Sequence, residues 1–139
     1  MINVVKEICN TLRMQYPEDP YDVYTEGIEQ GFTEPCFAIH QLRADVKPYP
    51  NRRTEIVQYF DVRFFPEGER PREQCRGVAE TLTFLLRQLT SLRGIGLNWE
   101  ITDDVLHFFV SYRQFVRELP EEYRMEVLQL KTGVAETEG

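Results

Sequence analysis

Residues 54–65, TEIVQYFDVRFF, and residues 71–89, PREQCRGVAETLTFLLRQL, decide the fold between them. In the first stretch Ile56, Phe60, Val62 and Phe64 share one face at period two, broken by Gln58. Val57, Tyr59, Asp61, Arg63 and Phe65 form a more mixed second face. This is a strand with one side toward a core and the other partly covered or meeting a neighbour. In the second stretch the period changes. Cys75, Val78, Ala79, Leu82, Leu85, Leu86 and Leu89 recur every three to four residues, the broad apolar stripe of an amphipathic helix. Pro71 suits a first helical position, where its missing N–H costs nothing. Glu73 favours the positive end of the helix dipole, while Arg87 and Arg93 fall near the other end. Residues 66–70 make the turn between the two elements, and Gly94 is the predicted C-terminal stop.

Toward the N-terminus, Ile2, Val5, Ile8, Cys9, Leu12 and Tyr16 predict a first helix, stopped by Pro17 and Pro20. Residues 21–26 are a short β-like run, 27–35 a connection, and 36–42 an apolar strand. Residues 43–53 hold Pro48, Pro50 and Asn51 and read as a long polar loop, of the kind that carries function in compact domains. Toward the C-terminus, residues 97–101 alternate, Asp103 and Asp104 turn the chain, and residues 105–116 return as a long strand. Residues 117–123 are a charged linker, 125–131 a final strand candidate and 132–139 a flexible polar tail. The predicted order is α-β-β-β-α-β-β-β. Strands and helices do not alternate strictly, so the expected class is α+β: a mostly antiparallel sheet with two amphipathic helices packed on one face. Residues 1–131 form the expected single domain, with 117–131 an edge segment suited to exchange with a neighbour.

The totals narrow the function. A chain of 139 residues suits one domain, and 42% apolar with 28% charged residues is a globular composition. The formal net charge of -7 disfavours DNA wrapping, because an acidic surface repels phosphates. The acidity is compatible with solubility or with a pore that DNA must slide through without sticking. No membrane span and no export signal are expected, which places the chain in the cytoplasm. Cys9, Cys36 and Cys75 are scattered and lack a CxxC pair, so they read as buried reduced thiols rather than zinc ligands.

Chemical sites are weakly signalled. His40 and His107 both lie in apolar strands, with no carboxylate placed by sequence to orient either ring, and read as packed or surface histidines. The carboxylate pairs Glu67/Glu69, Asp103/Asp104 and Glu121/Glu122 sit in turns or linkers and read as solvated. Gly94-Ile95-Gly96 precedes a strand and lacks a lysine, so it is no phosphate loop. No catalytic residue, metal ligand or cofactor is assigned. Trp99, alternating with Leu97 and Ile101, is expected in the core, the other reading being an interface anchor. Lys47, Arg52 and Arg53 around Tyr49 read as a solvated loop, a subunit contact or, least favoured, a nucleic-acid finger.

Three stretches together resemble a known family. They are residues 24–37, with Glu29-Gln30-Gly31-Phe32 and Glu34-Pro35-Cys36-Phe37; residues 60–66, FDVRFFP; and Leu92-Arg93-Gly94 leading into residues 104–110, DVLHFFV. Their order and spacing, from about Ile2 to Leu130, are similar to the small tail terminator, or tail-to-head joining, proteins of phages and prophages of Gram-positive bacteria. The resemblance implies a non-enzymatic α+β subunit that forms a ring, a hexamer in that family. Such a ring caps the tail tube, ends its polymerisation and joins it to the head connector. It implies assembly in the host cytoplasm, then residence in the virion or a phage-like tail particle, with genomic DNA passing through unbound. The family offers no residue motif to transfer, so the expected contact residues come from the patterns above: Lys47, Tyr49, Arg52, Arg53, Tyr59, Arg63, Phe109, Arg113, Met125, Val127 and Leu128. The rival readings are another neck or head-completion connector subunit, and a small α+β ligand-binding domain or enzyme.

Overall fold

The computed structural model describes residues 1–25 and 32–117. Helix α1 (Val4–Gln15) leads into a short strand β1 (Asp22–Tyr24), then two long strands, β2 (Cys36–Tyr49) and β3 (Arg53–Phe65). Helix α2 (Pro71–Leu85) follows, then β4 (Gly94–Thr102) and β5 (Val105–Arg117). The five strands form one sheet in the order β1-β2-β3-β5-β4, antiparallel except for β1 beside β2. The class is the expected α+β, with two helices and a mostly antiparallel sheet. The expected final strand at 125–131, and with it Met125, Val127 and Leu128, lies outside the described residues.

Register places the core. Val62 sits opposite Ile39 on one side and Phe108 on the other; Phe60 pairs with Val110, and Phe64 with Leu106 and Phe37. Opposed residues share a face, so the period-two rows stack into one apolar layer. Val4, Ile8 and Leu12 of α1 and Cys75, Val78, Ala79 and Leu82 of α2 are buried in the same cluster. Each fully buried large side chain contributes about 1.5–3 kcal/mol. Asn3 caps α1 by accepting from the Lys6 N–H at 3.1 Å. Gln58, which breaks the apolar row of β3, meets Gln114 of β5 on the same face. The Gln114 amide donates to Gln58 Oε1 at 3.1 Å and to the Ile2 carbonyl at 3.1 Å, while its oxygen accepts the Ile2 N–H at 2.9 Å.

Several expectations are corrected. Residues 43–53 are not a loop: β2 runs through Tyr49, and only residues 50–52 turn, with Asn51 and Arg52 in the left-handed region. Pro48 is tolerated on an edge: among the described residues β1 covers the outer side of β2 only at Cys36, Phe37 and Ala38. Helix α2 stops at Leu85, before the predicted end, although Leu86, Leu89 and Leu92 remain buried in irregular chain. The carbonyls there find partners other than helix N–H groups: Leu86 accepts from the Tyr112 hydroxyl at 2.6 Å and Arg87 from the Gly94 N–H at 2.8 Å. Gly94 therefore opens β4 rather than ending a helix, and a Cβ on it would lie 2.7 Å from the Leu86 oxygen. Trp99 pairs with Phe108 and so takes the core-side face, yet it stays 39% exposed because β4 is the sheet's last strand.

Candidate assembly surface

The sheet face away from the helices is built row by row from the same register. From its far end inward the rows are Tyr49, Arg53 and Arg117; Lys47, Glu55 and Phe115; Asp45, Val57 and Arg113. Then come Arg43, Tyr59 and Ser111; His40, Asp61 and Phe109; Ala38, Arg63 and His107. This one face therefore gathers Lys47, Tyr49, Arg53, Tyr59, Arg63, Phe109 and Arg113 from the sequence-expected contact set, with Arg52 in the turn at the arm's tip. Residues 41–49 of β2 are exposed on both sides. The outer half of the sheet is thus an arm that extends past the helix-covered core.

The arm's surface is a lattice of cations on aromatic rings and ion pairs. The Arg43 guanidinium lies 3.9 Å from the Tyr59 ring centre and pairs with Asp45, whose other oxygen accepts from the Tyr59 hydroxyl at 3.0 Å. Arg53 lies 4.9 Å over Phe115, and Lys47 5.4 Å over Tyr49. Arg113 donates to Glu55 at 2.9 Å. Phe115 is 48% exposed and Leu42, beside the bulge between Gln41 and Arg43, 52% exposed. Sequence reasoning placed Arg43 at the start of the candidate 43–53 segment but missed Leu42 and Phe115; the signal for Phe115 was its place two residues beyond Arg113 on the strand face that also carries Phe109. Exposed aromatic and arginine side chains on a rigid strand pair are the composition of binding hot spots.

Deeper on the same face sits a polar cluster. Asp61 is only 3% exposed; its Oδ2 accepts from Arg63 Nε at 2.9 Å and lies 3.0 Å from His107 Nδ1. A carboxylate does orient an imidazole here, contrary to the sequence expectation, because strand pairing joins residues far apart in the chain. His40 faces Asp61 across β2 and β3. Burial, then the Arg63 charge, hold its pKa below the usual histidine value against the opposing pull of Asp61. The thiols are unsuited to attack: burial, with Glu34 and Asp22 nearby, pushes Cys36 up to about 12, and burial also raises Cys9 and Cys75. Among the described residues no group of three His, Cys, Asp or Glu side chains converges as a metal site. The cluster ties β3 to β5 through hydrogen bonds to the Asp61 carboxylate, with His40 of β2 facing it in register.

A second feature lies on the helix side. Thr83, Arg87, Gln88, Arg93, Gly94 and Leu97 line an open groove of about 490 Å³ between the end of α2 and the start of β4. Among the described residues neither Arg87 nor Arg93 has a carboxylate partner. No described helix is long and apolar enough to cross a membrane. Comparison with family models gives a match to the one described as Phage tail terminator protein, over residues 3–124. Comparison with curated proteins gives no match.

Proposed function

The chain belongs to the phage tail terminator family, and from that membership we propose that it closes the tail tube as a ring of sister copies. On this reading the ring, a hexamer, ends tube polymerisation and forms the joint to the head connector. Its partners are other copies of itself, the tail tube protein and the connector. It assembles in the host cytoplasm and stays in the virion or tail particle. Genomic DNA passes through the ring without specific binding, in keeping with the net charge of -7.

The observation that carries the reading is the arm. Beyond Ala38 no described strand pairs with the outer edge of β2, and the exposed aromatic face of β2, β3 and β5 lies beside that edge. An open edge with exposed rings is costly for a free monomer and suits a subunit that meets other chains. A ring made by head-to-tail contacts closes on itself and covers a tube end without lengthening the tube. The test is electron microscopy of particles made without this protein. Tubes of uncontrolled length with unfinished ends are expected; tubes of ordinary length joined normally to heads would overturn the reading. Capture of the purified chain by heads but not by tubes would favour a head-completion connector instead.

A further inference from the structure

The arginine groove and the turn between β4 and β5 lie at opposite ends of one strand. Gly94 opens β4 beside the groove, and Thr102 closes it before Asp103 and Asp104. The span is roughly 27 Å at about 3.4 Å per residue. Asp103 and Asp104 are both exposed, and neither has an ion-pair partner among the described residues. Both adopt left-handed backbone, with φ of 53° and 61°, which makes a tight projecting turn. The Cys75 thiol donates to the Asp104 carbonyl at 3.7 Å, tying the turn to α2 while leaving both carboxylates free. The groove is equally prepared. The Arg87 guanidinium is steadied 5.4 Å over the Phe84 ring, and carbonyls at the helix end that would repel an anion accept from Tyr112 and Gly94.

Resting on the ring reading above, we infer that sister copies join head to tail by seating the Asp103 and Asp104 turn of one copy in the Arg87 and Arg93 groove of the next. Two adjacent carboxylates meet two guanidiniums, the pairing that gives short charge-assisted hydrogen bonds. The contact uses two different patches, so each copy keeps one patch free after pairing until a ring closes. Phe84, 66% exposed, supplies apolar area beside Arg87. A nucleic-acid phosphate is disfavoured as occupant by the net charge of -7.

The test uses the full chain and two double variants, Arg87→Glu with Arg93→Glu, and Asp103→Asn with Asp104→Asn. Asparagine tolerates the left-handed backbone, and all four side chains are exposed, so thermal unfolding should match the parent. Association is measured by sedimentation velocity at low salt and by labelling of purified tail-tube ends. The parent is expected to assemble, and each variant alone to associate at least about 100-fold more weakly, about tenfold per lost pair. An equimolar mixture of the two variants should stop at a pair, since one keeps the turn and the other the groove. Variants that assemble like the parent, or a mixture that forms no pairs, would overturn the contact and leave the ring reading standing. A parent that assembles neither in solution nor on tube ends would overturn both. A short DNA duplex bound by the parent and released by the arginine variant would reassign the groove to phosphate.

Discussion

Replacing Tyr112 by phenylalanine removes one oxygen from the core and tests how α2 is ended. Tyr112 is fully buried on β5, and its hydroxyl donates to the Leu86 carbonyl at 2.6 Å, one residue past the helix. Phenylalanine keeps the ring and its tilted contact with Phe60 at 6.2 Å, so no cavity term arises. What is lost is the donor to a buried carbonyl, a cost of about 1–3 kcal/mol. For a chain of this length that corresponds to a fall in Tm of about 3–12 °C. Urea unfolding should show a lower midpoint with an unchanged slope. Burial also raises the pKa of the Tyr112 hydroxyl. In the native state the group stays neutral where an unfolded tyrosine ionises, above about pH 10. Its contribution is whole below that pH and is lost as pH rises past it, so the gap between parent and Tyr112→Phe should narrow there. Equal midpoints at neutral pH would refute the assignment of this bond as the stop of α2.

Two further outcomes are expected. His40 has a lowered pKa, so the native state resists the protonation that the unfolded chain accepts; its share of stability is full above about pH 6.5 and declines below it. His40→Gln should therefore lose less stability than the parent between about pH 7.5 and 5, and parallel urea midpoints across that window would contradict this. Gly94→Ala should cost about 1–3 kcal/mol, because its Cβ would sit 2.7 Å from the Leu86 oxygen and 3.1 Å from Val110; an unchanged Tm would show that the crossing can relax.

What the sequence revealed followed from burial. Phe60, Val62 and Phe64, like Leu106, Phe108, Val110 and Tyr112, alternate because one side of each strand meets a core, and the structure buries all seven. The arm was hidden for the converse reason. Residues 43–49 are exposed on both sides, so no hydrophobic rhythm marks them, and Pro48 and Pro50 punctuate them like a loop. The stripe through Leu86 and Leu89 overran the true helix because irregular chain can bury leucines as well as a helix can. Asp61 and His107 are 46 positions apart and meet only through the pairing of β3 with β5, which local pattern does not encode. The groove was legible only in part: Arg87 and Arg93 were read at a helix end, whereas their approach depends on the chain folding back so that Gly94 bonds to Arg87.

The Gln114 amide holds Ile2 by both its N–H and its carbonyl, across 112 positions of chain. During synthesis Ile2 therefore leaves the ribosome long before the side chain that fastens it. Until β5 emerges and pairs with β3, Ile2 lacks this latch, although Asn3 already caps the opening turn of α1. Changing Gln114 to leucine would release Ile2, and with it the entry to α1, from β5.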